Sequence, residues 1–166
     1  PTSKYFEISA GLITSTEVGG DYYDFFEPKN DEVLAVCGDA TGHGTTSGMM
    51  VSIIKSALNS LPTLPVNKIL EELNRIVKKI DLKRIKMSLV VSKITKDKII
   101  LSSATMPPVY FYNAKEKKCE EILIEGIPLG GLKNETYDIL NKKFQKDDVL
   151  IMLSALIHPV SFMIVM

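Results

Sequence analysis

The chain has 166 residues, 45% hydrophobic and 24% charged, with Lys+Arg and Asp+Glu balanced at 20 each. That length supports one core and a single domain over residues 1–166, and the neutral balance excludes the broad basic face by which proteins displace counterions from DNA or RNA. No apolar run reaches the ~20 residues of a membrane-crossing helix, and the N-terminus has no basic-then-apolar leader. Cys37 and Cys119 fit no CxxC pattern and read as two buried free thiols, so a cytoplasmic domain without membrane contact is expected. Pro1 in first position suggests a piece of a longer protein, or one whose Met was removed.

Phe6, Ile8, Ala10 and Leu12 alternate with polar or small residues, the period of a half-buried strand. Tyr22–Phe26 reads as a second strand, Pro28-Lys29-Asn30-Asp31 as a turn, and Glu32–Cys37 as a third strand pairing back on the second. From Thr45 the period changes: Met49, Met50, Ile53, Ile54, Ala57, Leu58 and Leu61 share one helical face until Pro62, with Thr45 or Thr46 as candidate N-cap. Val66, Ile69, Leu70, Leu73, Ile76, Val77 and Ile80 mark a second amphipathic helix beside the first. Strands then return at Met87–Ile94, Ile99–Ser103, Val109–Tyr112, Cys119–Ile124 and Val149–Leu153. Sheets covered by two adjacent helices make an α+β layered domain.

Two stretches carry chemistry. Gly19-Gly20-Asp21-Tyr22-Tyr23-Asp24 opens the predicted hairpin, and Gly38-Asp39-Ala40-Thr41-Gly42-His43-Gly44 closes it. Asp21 then begins one strand and Asp39 ends its neighbour, so both carboxylates emerge at the same end of the sheet. Paired carboxylates beside glycines suit hard divalent cations such as Mg²⁺ or Mn²⁺, which prefer oxygen ligands. Either Asp alone is more often a turn or cap residue. The Gly42-His43-Gly44 segment precedes a helix, but no Lys-Ser/Thr follows, which argues against a nucleotide-binding P-loop. His43 by itself reads more often as a loop residue than as a ligand.

These motifs, with Ser47-Gly48-Met49-Met50 and Ile127-Pro128-Leu129-Gly130, resemble the PPM-type, metal-dependent serine/threonine protein phosphatases, in the branch of stage II sporulation protein E and its relatives that regulate sigma factors. The likeness runs from about Ile8 to Leu153. It implies a layered α-β-β-α sandwich of mostly antiparallel sheets and a binuclear Mn²⁺ or Mg²⁺ centre that activates water for direct attack on phosphoserine or phosphothreonine. Carried over by motif, Asp21 and Asp39 are the catalytic, metal-binding aspartates, with Asp39 bridging, and Ala40 offers its backbone carbonyl. Gly20, Asp24, Gly42 and His43 are second-tier candidates, and strand alternation points Asp24 away from Asp21. The implied partners are a phosphoprotein substrate such as an anti-sigma-factor antagonist and an upstream sensor acting through the helical pair; a dimer is compatible.

The chain departs from that pattern in three places. Ala104-Thr105-Met106-Pro107-Pro108 stands where the family reads Ala-Gly-His-Pro-Pro, and Ser154-Ala155-Leu156 where a strand is followed by Asp-Gly. After His158 the sequence ends at Met166, short of the family's last aspartate, as in a C-terminally truncated domain; His158 reads as a tail residue rather than a substitute ligand. The alternative to a working phosphatase is therefore a pseudophosphatase or regulatory interaction domain, and a weaker third reading is a small-molecule site built on Gly38–Gly44.

Overall fold

The computed structural model describes Ser3 and residues 5–13, 19–29, 31–82, 85–154 and 160–165. The chain runs through β1 (Ile8–Ile13), β2 (Asp21–Lys29), β3 (Glu32–Ala40), α1 (Thr45–Leu58), α2 (Val66–Ile80), β4 (Met87–Ile94) and β5 (Lys98–Ala104). It continues through β6 (Val109–Asn113), β7 (Lys118–Ile122), β8 (Leu140–Lys143), β9 (Val149–Leu153) and β10 (Val160–Val165). One sheet has the order β1-β10-β9-β6-β7 and the other β2-β3-β4-β5-β8, every pairing antiparallel.

Strand β3 organises both cores. Val33, Ala35 and Cys37 face the other sheet, where they join Val90, Phe111, Leu150 and Met152. Leu34 and Val36 face the helices and meet Met50, Ile54, Leu70 and Leu73. Buried on both faces, β3 reads as a continuous apolar run rather than an alternating one.

Helix α1 lies over β2 and β3, and α2 over β4 and β5. Joined by a short connection, the two helices pack side by side on one sheet. Among the described residues the layers therefore run helices, sheet, sheet; no helix of the described residues covers the first sheet. No helix in the described residues is long and apolar enough to cross a membrane.

Several local expectations are corrected. Strand β2 continues through Lys29, past the expected start of the turn, with the register shifting between Phe26 and Lys29; Pro28 in that interval has no N–H for a ladder. Neither Thr45 nor Thr46 caps α1: Gly44 holds the cap position at φ 76° without a side-chain cap, and the Ser47 hydroxyl donates back to the Gly44 carbonyl at 2.8 Å. The buried stripe of α1 is Ser47, Met50, Ile54 and Leu58, leaving Met49 half exposed, because the helix touches the sheet along a narrow line. Cys119 is exposed on edge strand β7, whereas Cys37 is buried. Strands β8 and β10 are additions to the expected set, although Val160–Val165 is an apolar run of strand length. Sequence Leu-Asn-Lys-Lys in β8 is that of a charged sheet edge, and β10 exists through its neighbours β1 and β9.

Candidate metal centre

The β2–β3 hairpin sets Asp21 directly opposite Asp39 in register. Opposed residues of an antiparallel pair have Cβ atoms about 5 Å apart. Alternation fixes the face as well: Tyr23 and Phe25, on the same side as Asp21, and Cys37 and Ala35, on the same side as Asp39, pack into the core between the sheets. Both carboxylates therefore stand at the end of the sandwich, on its inner face.

Their proximity has an electrostatic cost. The Asp39 carboxyl is pushed up to about 6, first by burial and then by the charge of Asp21. Deeper along the strand, the Cys37 thiol is pushed up to about 12, by burial first and then by Asp21 and Asp39. A half-buried pair of like charges is what a divalent cation relieves.

The backbone around the pair is tightly fitted. The Ala40 amide donates to the Gly20 carbonyl at 2.9 Å. A Cβ on Gly20 would sit 2.2 Å from the Ala40 oxygen and 2.9 Å from Asp39 Oδ1, so only glycine leaves that oxygen and that carboxylate their room. The next residue is pinned: the Thr41 amide donates to the Lys86 carbonyl and the Lys86 amide to Thr41 Oγ1, each at 2.9 Å. Two carboxylates and the Ala40 carbonyl form an oxygen donor set that fits one hard divalent cation.

The other candidates lie apart from this set. Asp24 is on the helix side of β2, where it accepts from the Tyr22 hydroxyl at 3.0 Å and the Phe25 amide at 2.9 Å and pairs with Lys55 at 3.0 Å. Gly42, at φ 89°, and His43 are exposed in the loop before α1. Thr105 sits at φ 59°, a conformation a β-branched residue rarely adopts, and its hydroxyl donates to the Gly126 carbonyl. Ile127–Gly130 is a brace rather than a ligand. Leu129 exchanges backbone hydrogen bonds with Met87 at 2.8 and 3.2 Å, and the Gly130 amide donates to buried Asn74 at 2.8 Å. That ties α2 to the strand beside Asp39. Ala155 and His158 lie outside the described residues.

One residue at the site escaped the sequence reading. The Ser154 hydroxyl, just past β9 in the opposite sheet, donates to Asp21 Oδ1 at 2.6 Å. Its only sequence signal was its place at the end of a predicted strand.

The family model described as Stage II sporulation protein E (SpoIIE) matches residues 29–155, a stretch that holds Asp39 and Ala40 and begins after Asp21. Phosphoserine phosphatase RsbU of Bacillus subtilis (strain 168) is 26% identical over 158 residues, 93% of this chain and 47% of RsbU, so the chain spans about half the length of that relative. Among solved structures, RsbX in complex with magnesium has a TM-score of 0.84 at 14% identity, over 99% of this chain and 96% of that one. The RsbU and RsbW domains of a Mycobacterium tuberculosis protein give a TM-score of 0.78 at 20% identity, over 90% of this chain and 43% of theirs. At such identities the structures speak to the fold, while the family model covers most of the sequence. This chain belongs to the Stage II sporulation protein E (SpoIIE) family.

Proposed function

We propose that this domain is a metal-dependent protein phosphatase that removes phosphate from serine or threonine of a signalling protein, such as an anti-sigma-factor antagonist. The observation that carries the reading is the opposition of Asp21 and Asp39 at one end of the sandwich. Relatedness to a phosphoserine phosphatase supports the reaction class, and the magnesium complex of RsbX supports Mg²⁺, with Mn²⁺ the alternative.

Asp21, Asp39 and the Ala40 carbonyl would hold the cation, and Gly20 keeps the Ala40 oxygen accessible. When bound, the cation supplies Lewis-acid polarisation of the phosphate oxygens and of the attacking water. Asp39 must be ionised to ligate, and its raised affinity for protons makes binding compete with protonation. Water attacks phosphorus, the P–O bond to the side chain breaks, and serine or threonine and inorganic phosphate leave. The helical pair is the route by which an upstream regulatory segment would act, since α1 follows Asp39 after a few residues. Cys37 and the exposed Cys119 form no disulfide, which suits a reducing compartment such as the cytoplasm.

Phosphate release from a phosphoserine peptide, followed with Mg²⁺ or Mn²⁺, is expected to vanish in chelator and in Asp39→Asn. Release that persists in either condition refutes the assignment. A second reading, an impaired phosphatase that binds phosphoproteins, is favoured by one fact: among the described residues no group of three or more His, Cys, Asp or Glu could hold a metal. Capture of the phosphopeptide without turnover selects it.

A further inference from the structure

Asp21 is the first residue of β2, an edge strand of its sheet, so its main chain is held by the ladder on one side only. Its carboxylate faces a like charge on Asp39 across the pair. Left to itself, such a side chain rotates away from its neighbour. Ser154 opposes that rotation. It is 6% exposed, it follows β9 in the other sheet, and its hydroxyl reaches Asp21 Oδ1 at 2.6 Å across 133 residues of sequence.

A short hydrogen bond to an ionised oxygen is among the stronger kinds, and this one restrains the rotation of the carboxylate. It occupies one lone pair of Oδ1 and leaves the rest of Oδ1 and all of Oδ2 to accept. A hydroxyl also brings no charge. Lys or Arg at the same place would hold Asp21 equally well, but would repel the cation.

We propose that Ser154 is the positioning residue of the metal centre, holding the Asp21 carboxylate in the orientation in which it and Asp39 share one divalent cation. This rests on the reading that the pair binds a metal. Groups that orient a ligand from behind typically change metal affinity 10- to 100-fold when removed.

The test uses the full chain with Ser154→Ala and Ser154→Thr. Two readouts apply: the ¹³Cγ signal of Asp21 without metal, and the affinity for Mg²⁺ and Mn²⁺ by calorimetry. Ser154→Ala is expected to shift the Asp21 signal and weaken metal binding about tenfold, and Ser154→Thr, which keeps the hydroxyl, to restore both. Affinity unchanged in Ser154→Ala overturns the proposal, whether or not the signal moves. Equal loss in both variants also overturns it, because packing rather than the hydroxyl would be responsible. If the unmodified chain binds neither metal, the metal centre itself fails and the proposal falls with it; that outcome is separate, since it is read before any substitution.

Discussion

At the scale of single residues, the informative feature is a carboxylate held where it resists ionisation. Asp39 ionises near 6 in the folded, metal-free protein against an ordinary value of 3.8. Folding therefore takes up protons in that interval, and stability falls as pH rises through it, with the full loss present above about 6. Thermal melts in chelator are expected to show this decline, and Asp39→Asn to flatten it and raise the melting temperature at neutral pH. Mg²⁺ should stabilise the unmodified chain and leave the variant unchanged. A melting temperature that stays level across the interval in the unmodified protein contradicts the electrostatic account. Alternation along β2 foretold that Asp24 would point elsewhere, and it is tied to Lys55 and Tyr22. The presence of Ser154 beside Asp21 follows from no local pattern.

At the scale of elements, the hairpin and the helices were legible, and their edges less so. Predicted strand Met87–Ile94 matches β4 and Val149–Leu153 matches β9: β9 alternates, with Leu150 and Met152 turned into the core between the sheets, and β4, buried on both faces, reads as an apolar run of strand length. The stripe of α1 came out narrower than its apolar residues suggest, with Ile54 fully buried and Met49 50% exposed. This difference yields a paired prediction. Ile54→Ala should cost about 2–5 kcal/mol by leaving a cavity, and should also weaken metal binding, since α1 is anchored to Asp39 through the pinned loop. Met49→Ala should change stability by no more than about 0.5 kcal/mol and leave metal binding alone. Chemical denaturation and calorimetry on the same samples measure both; intact metal affinity in a folded Ile54→Ala chain would count against coupling through the helix.

At the scale of the whole molecule, the donor set is smaller than the family pattern implies. A cation held by fewer charged oxygens keeps more of its waters and binds more weakly, so low turnover is expected of the chain as it stands. Replacing Ala155-Leu156 with Asp-Gly should tighten Mn²⁺ binding and raise phosphate release from a phosphoserine peptide. If the two chains bind and turn over alike, the missing carboxylate is not what limits the site. By itself the sequence determined the α+β class, the two helices and the meeting of Asp21 with Asp39, because each depends on a short-range period or on the register of a hairpin with a short turn. Tertiary structure alone decided that β10 lies between β1 and β9, that Asn74 braces Gly130 and that Ser154 grips Asp21. Those contacts join residues far apart along the chain, and what selects them is the closure of one sheet on the other, which no local periodicity encodes.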